Sequence, residues 1–170
     1  GDYETILTFI APRAGTITIS YPGGIANHGV GYEESDFGAG RLLVSGNDGG
    51  ELDYYDFPAG SDPVTTEAVT GLTVEAGDRI QFRIWSGAGK NCYIAMVPTI
   101  TYDPENDTET YSAKEDFGNT DVWSYERRQI STGATETMGL NGDGTMYLAG
   151  DNYISPDWLS TGTNGDYETI

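Results

Sequence analysis

The chain has 170 residues, of which 37% are hydrophobic and 12% aromatic, enough apolar material for one core of ordinary size. Its 27 acidic residues against 8 basic ones give a formal net charge of −19, and such a surface repels nucleic acid and anionic lipid. The aromatic content argues against full disorder, and no apolar run approaches the ~20 residues of a membrane helix. We therefore expect one folded domain whose partners include neither nucleic acid nor the interior of a membrane.

The first six residues, Gly-Asp-Tyr-Glu-Thr-Ile, recur without change at positions 165–170, which gives a period of 164 residues. An identity of this length predicts a tandem array in which the last six residues begin the next copy. A duplicated cloning scar is the alternative, and it is disfavoured because residues 4–11 continue as a good β-strand. The residues predicted to mark the junction between copies are Gly1, Asp2, Tyr3, Gly165, Asp166 and Tyr167.

Period-two alternation of apolar and polar residues predicts strands along the rest of the chain. Strands are expected at 4–11, 16–20, 41–45, 52–57, 72–74, 80–84, 91–97, 98–102, 122–129 and 145–149. In the clearest case Ile80, Phe82 and Ile84 alternate with Arg79, Gln81, Arg83 and Trp85, so the aliphatic side chains should point inward, as should Ile17 and Ile19. Glycine-rich and Asn/Asp-rich turns separate the strands. The predicted fold class is an all-β, antiparallel, jelly-roll-like β-sandwich.

One change of composition divides the chain. Residues 103–110 are polar and mostly acidic, and they are predicted to join a main sandwich segment, 1–102, to a second segment, 111–164. Residues 165–170 would then begin the next repeat.

Three phrases carry a family resemblance: Phe9-Ile-Ala-Pro-Arg-Ala-Gly-Thr-Ile-Thr-Ile19, Leu72-Thr-Val-Glu-Ala-Gly-Asp-Arg-Ile-Gln-Phe82 and Val97-Pro-Thr-Ile-Thr-Tyr102. Together they resemble a bacterial extracellular β-sandwich accessory module, a kind found in secreted polysaccharide-degrading enzymes and large surface proteins. In that family, a stretch similar to 111–164 precedes these phrases. The resemblance therefore implies that 111–164 runs on into 1–102 of the next copy. Segment 111–164 either folds back within its own chain or packs on the neighbouring copy.

Catalysis is not expected. The single histidine, His28, has no Ser or Cys nucleophile motif beside it, and no His-rich metal-binding spacing occurs. The acid pairs Glu33/Glu34 and Glu115/Asp116 have the residue types of a glycosidase, but 27 acids make some close pair inevitable.

Calcium is the cofactor that the acidic turns suggest, because carboxylate and amide oxygens are the ligands that this cation prefers. The candidate ligands are Asp48, Asp53, Asp103, Glu105 and Asp107. The alternative is that Asp and Asn are simply turn formers, and for each cluster taken singly this alternative is favoured.

Polysaccharide is the second candidate ligand, because sugars stack on exposed aromatic rings. The predicted contacts are Trp85, with Gln81 and Arg83 on the same face of the strand, and Trp158, which is expected in a loop after Pro156. Trp123 and Tyr125 are expected in the core.

The sequence as a whole favours a non-catalytic repeat module of an extracellular or cell-surface protein, which forms a filament or array by head-to-tail contacts between copies. A carbohydrate-binding module of a secreted polysaccharide-degrading enzyme is the alternative, and a small acidic glycosidase or lyase is the third and least favoured.

Overall fold

The fold consists of antiparallel strands joined by turns. A computed structural model describes residues 3–27, 39–58, 64–86, 92–103, 108–148, 152–156 and 158–161. Its strands are β1 Tyr3–Ile10, β2 Gly15–Ser20, β3 Ala26–Asn27, β4 Gly40–Ser45, β5 Glu51–Phe57, β6 Val69–Val74, β7 Arg79–Ser86, β8 Cys92–Ala95, β9 Thr99–Tyr102, β10 Thr110–Ser112, β11 Trp123–Gln129, β12 Thr135–Thr137, β13 Gly139–Leu140, β14 Met146–Leu148, β15 Asn152–Ser155 and β16 Trp158–Thr161. In this part of the chain there is no helix long and apolar enough to cross a lipid bilayer.

One layer is a six-stranded sheet in the order β12-β11-β1-β7-β4-β5, called the front sheet below. β1 lies inside it, paired with β11 on one side and β7 on the other, both antiparallel. Leu7, for example, stands opposite Tyr125 and Phe82. The strand that contains Tyr3–Ile6 of the repeated hexapeptide is therefore an interior strand of a six-stranded sheet.

Two further sheets form the back layer, in the orders β10-β9-β2-β6 and β13-β14-β15-β16-β8-β3. Their inward residues and one face of the front sheet form a single hydrophobic core. Ile17, Ile19, Ile80, Phe82 and Ile84, all predicted to be inside, are each at most 2% exposed. Trp123 and Tyr125 are also buried, as predicted. The prediction of an all-β antiparallel sandwich is confirmed.

The second segment packs within its own chain in this structure. β11 pairs with β1, and β16 pairs with β8, so strands from 111–164 complete both layers. Across the acidic junction, β9 and β10 pair as a hairpin, with Thr110 opposite Thr101.

One local prediction was wrong and one strand boundary differs slightly. The first strand begins at Tyr3, one residue before the predicted strand 4–11, and Glu4, Thr5 and Ile6 are all buried in it. Trp158 begins strand β16 rather than lying in a loop, because the turn at Pro156 is short enough for the chain to re-enter the sheet beside β15.

Candidate functional site

The repeated hexapeptide lies at a distinctive place in the fold. Its last four residues, Tyr3–Ile6, form the first half of β1, and Gly1 and Asp2 lie outside the described residues, as do Gly165, Asp166 and Tyr167. Tyr3 is opposite Gln129 of β11, and Thr5 is opposite both Arg127 and Ile84. This part of the chain therefore carries the sequence repeat and also bridges the two predicted segments.

Glu4 is the most unusual side chain of this strand, because it is a carboxylate that is only 1% exposed. Its Oε2 accepts a hydrogen bond from Arg83 Nε at 3.0 Å, and its Oε1 forms an ion pair with Arg128 Nε. Removing a carboxylate from water is strongly unfavourable unless charged partners replace the water. Two guanidinium groups, one from each neighbouring strand, provide that compensation here.

A second ion pair lies on the same face. Arg79 Nη2 of β7 donates to Glu126 Oε2 of β11 at 3.1 Å and to Ser124 Oγ at 3.3 Å. These contacts cross over β1, which separates β7 from β11 in the sheet. Ile6 stands opposite both Arg83 and Glu126, one residue from each ion-pair group. Its side chain faces away from the main core and is nevertheless only 1% exposed.

We call this surface the outer face; it comprises Glu4, Ile6 and Thr8 of β1, Arg79, Gln81, Arg83 and Trp85 of β7, and their neighbours on β4, β5 and β11. It carries four of the eight basic residues of the chain, namely Arg41, Arg79, Arg83 and Arg128. Half of the basic residues of a protein of net charge −19 therefore lie on one face of one sheet. Each of these arginines has a carboxylate partner from another strand.

The aromatic part of the outer face lies toward β5. Trp85 and Tyr54 have ring centroids 6.3 Å apart with an interplanar angle of 50°, and Tyr54 is 37% exposed. The Arg41–Asp56 ion pair, at 2.9 Å, flanks them, and Tyr54 donates its hydroxyl hydrogen bond to Asp56 at 2.9 Å. Two aromatic rings beside a hydrogen-bonding carboxylate and guanidinium are the elements of a sugar-stacking platform.

The predicted sugar contacts are only partly brought together. Gln81, Arg83 and Trp85 share the outer face, but the guanidinium of Arg83 is engaged by Glu4. Trp158 lies on β16 in the back layer, and only its backbone is described. Tyr54 is not among the predicted sugar contacts, although the sequence predicts that Tyr54 and Tyr55 point to opposite faces of their strand. The structure places Tyr54 on the outer face and Tyr55 on the core side.

The predicted calcium ligands are dispersed. Asp48 accepts a hydrogen bond from Gly50 N at 2.8 Å within the β4–β5 turn, Asp53 accepts from the Tyr55 hydroxyl, and Asp103 accepts from Thr18 Oγ1 at 3.4 Å. Glu105 and Asp107 lie outside the described residues. Within the ranges that the structure describes, no three His, Cys, Asp or Glu side chains gather in a metal-binding arrangement. The calcium site stays a prediction.

The Asp53 carboxylate also belongs to a tyrosine cluster at the edge of the core. Burial raises the pKa of Tyr55 to about 12, and the hydrogen bond that its hydroxyl donates to Asp53 acts in the same direction. Burial likewise raises the pKa of Tyr21, whose ring contacts that of Tyr55 edge-on at 6.4 Å. These hydroxyls stay protonated in the folded protein at neutral pH.

The candidate catalytic acids do not form a described site. His28, Glu33 and Glu34 lie outside the described residues, and Asp116 accepts a hydrogen bond from Ser112 N at 2.8 Å within a turn. A depression of about 200 Å³ on the back layer has an apolar lining without titratable side chains, formed by Pro22, Gly23, Gly24, Ala26, Ala95, Met96 and Val97.

Comparison with protein-family models, with curated proteins and with solved structures found no match to the chain.

Proposed function

We propose that the chain is a non-catalytic repeat module of an extracellular or cell-surface protein, in which copies follow one another head to tail as a filament or array. The observation that carries the proposal is the recurrence of residues 1–6 at 165–170. The first copy of this hexapeptide supplies the start of a buried interior strand, β1, with specific ion pairs. A sequence that such a strand requires has a structural reason to recur at the start of every copy.

The spacing of the strands supports a stiff array. β16 ends at Thr161, and the next copy of β1 would begin at Tyr167, which leaves the five residues 162–166 between them. Within a copy, β9 and β10 are separated by the seven residues 103–109. Flexible tethers gain their reach from length, so connections this short restrict how far one sandwich can swing against the next.

The charge of the chain is compatible with the proposed array. A net charge of −19 keeps neighbouring arrays apart and soluble, and it makes nucleic acid and anionic lipid poor ligands. Divalent cations are compatible with such a surface, and calcium at the acidic turns is part of the proposal.

Small-angle scattering of a protein with two consecutive copies tests the array. The expected profile is that of two sandwiches at a fixed relative orientation. A matched control carries Gly/Ser insertions in both short connections, 103–109 and 162–166, so that it is loosened whichever of them joins the sandwiches. If the two proteins give the same flexible profile, the stiff array is wrong.

A carbohydrate-binding module is the second candidate, and the Trp85–Tyr54 pair on the outer face favours it. Affinity gel electrophoresis against a panel of polysaccharides measures such binding directly. Trp85→Ala and Tyr54→Ala should each abolish any retardation, whereas Leu140→Ala, which removes another exposed apolar side chain, should not. Absence of retardation on every polysaccharide would remove this candidate.

A further inference from the structure

We infer that the second copy of the hexapeptide, residues 165–170, can occupy the place that Tyr3–Ile6 hold in the front sheet, so that a sandwich can be completed across the repeat boundary. We call this place the β1 position; it lies between Arg83–Ile84 of β7 and Glu126–Gln129 of β11. The inference deepens the proposed array by naming the contact that joins copies. Its test uses the single chain and does not depend on an array.

The β1 position selects for a particular sequence. It requires a carboxylate between Arg83 and Arg128, and then two side chains that tolerate complete burial; Thr5 is 0% exposed and Ile6 is 1% exposed. Residues Glu168, Thr169 and Ile170 provide the same three side chains in the same order. A strand formed by 165–170 can therefore make the same ladder and the same two ion pairs.

The second copy can reach this position from its own chain. β1 is antiparallel to β7, so Tyr3 lies at the end of the front sheet where β7 finishes at Ser86. β8 starts close by, at Cys92, and Thr161 of β16 stands opposite Cys92. β16 also packs against β1 and β7. The end of β16 and the start of β1 therefore lie at the same end of the sandwich.

The intervening residues are long enough for this connection. Six Cα–Cα steps from Thr161 to Tyr167 span up to about 20 Å, and packed sheets are separated by about 10 Å. The residues between are Gly-Thr-Asn-Gly-Asp, and glycine and asparagine permit a tight reversal of the chain.

Chain entropy also favours the second copy at its contact with β11. Tyr3 and its partner Gln129 are 126 positions apart, whereas Gln129 and Tyr167 are only 38 apart. A shorter loop is closed at a smaller entropic penalty. In a continuous array, residues 111–164 of one copy would then pack with residues 1–102 of the next and make the same contacts as within one copy, as in a domain swap.

A double-mutant cycle on the full chain tests the inference. Glu4→Ala alone should lower Tm by about 3 °C or less, because 165–170 takes over, and Glu168→Ala alone should change Tm by about 1 °C or less. Glu4→Ala with Glu168→Ala should lower Tm by about 6–15 °C, because both arginines then lose their carboxylate. If Glu4→Ala alone is as unstable as the double variant, the inference is overturned.

Two further variants serve as controls. Arg83→Ala should be destabilising with either glutamate present, since both occupants need this guanidinium. Glu126→Ala removes a carboxylate of the outer face that the hexapeptide does not duplicate, so its effect should add simply to that of Glu168→Ala.

Disulfide trapping gives an independent readout. Gln129→Cys and Tyr167→Cys, in a Cys92→Ser and Glu4→Ala background, would face each other as Gln129 and Tyr3 do now. Cross-strand neighbours have the Cα separation that a disulfide needs. Disulfide-linked monomers are expected on oxidation, and retained thiols or linked dimers alone would overturn the inference.

The inference and the array can fail separately. A non-additive cycle together with freely jointed copies in the two-copy protein would support the replacement of Tyr3–Ile6 by residues 165–170 and would exclude the stiff array. An additive cycle together with a rigid two-copy protein would do the reverse.

Discussion

Glu4 and Arg83 are 79 positions apart in the chain, yet the Oε2 atom of one lies 3.0 Å from the Nε atom of the other, and the Glu4 side chain is 1% exposed. The pair joins β1 to β7, and Arg128 joins the same carboxylate to β11. A buried carboxylate left without partners destabilises the folded state by several kcal/mol, so both contacts stabilise β1 in its place inside the sheet.

Arg83→Ala is therefore expected to lower the free energy of unfolding by about 3 kcal/mol, because Glu4 keeps only one of its two cations. Arg41→Ala is the matched control. The Arg41–Asp56 pair lies on the same face, but its side chains are 48% and 62% exposed, and its loss should amount to less than about 1 kcal/mol. Urea unfolding of both variants measures the difference. Equal losses of the free energy of unfolding would show that the buried Glu4–Arg83 pair stabilises the fold no more than the exposed Arg41–Asp56 pair.

Phe82→Ala should lower the free energy of unfolding by about 3–5 kcal/mol. The ring is 0% exposed and contacts Tyr21 at 6.2 Å and Trp123 at 6.4 Å between centroids, so the cavity would lie in the middle of the core. Leu140→Ala, at a side chain that is 65% exposed, should change stability by less than about 0.5 kcal/mol. Thermal or urea unfolding compares the two, and similar small losses would mean that Phe82 is not a central packing residue.

Stability should fall as the pH rises above about 10. An unfolded tyrosine loses its proton there, whereas burial keeps the pKa of Tyr55 at about 12 and raises that of Tyr21 in the folded chain. The folded state then holds more protons than the unfolded one, and the free energy of unfolding decreases with pH. Urea unfolding at a series of alkaline pH values measures the slope.

Tyr21→Phe checks the origin of that slope. The Tyr21 hydroxyl has no hydrogen-bond partner among the described residues, so its removal should leave stability at neutral pH unchanged or slightly higher. The decrease above about pH 10 should become shallower, because one proton-retaining group is gone. An unchanged slope would assign the effect to other groups.

Calcium is expected to raise the melting temperature, because a cation that binds only the native state stabilises it. The comparison is between excess chelator and millimolar calcium. Asp103→Asn and Asp48→Asn separate the two candidate turns, and only the variant at the binding turn should lose the response. Identical melting curves in chelator and calcium would remove calcium from the proposal.

The long alternating strands could be predicted from the sequence. β7 is the best case, since Ile80, Phe82 and Ile84 point into the core and Gln81, Arg83 and Trp85 point away from it, as predicted. Six residues of strict alternation, 79–84, leave only one way to bury the apolar side. β4, β5 and β11 were also predicted, as short runs separated from one another by turn-forming residues.

The short strands and the ion-pair groups could not be predicted. β3 and β13 have two residues each, too few to display a period, and their strand conformation depends on the partner that offers hydrogen bonds. The burial of Glu4 depends on Arg83 and Arg128, which lie far away along the chain. Glutamate side chains are ordinarily exposed, and the pattern of the neighbouring residues does not predict that Glu4 is buried.

The interior place of β1 also determines when this strand gains its partner β11 during synthesis. A ribosome that adds about 5–20 residues per second needs roughly 6–25 s to proceed from Tyr3 to Gln129. During that interval the first strand has no β11 beside it, and its row of unpaired amides can template aggregation. In a continuous array, only the first copy has this delay. For each later copy, β11 of the preceding copy has already left the ribosome when the new β1 emerges, so translation order itself would protect the strand that most needs a partner.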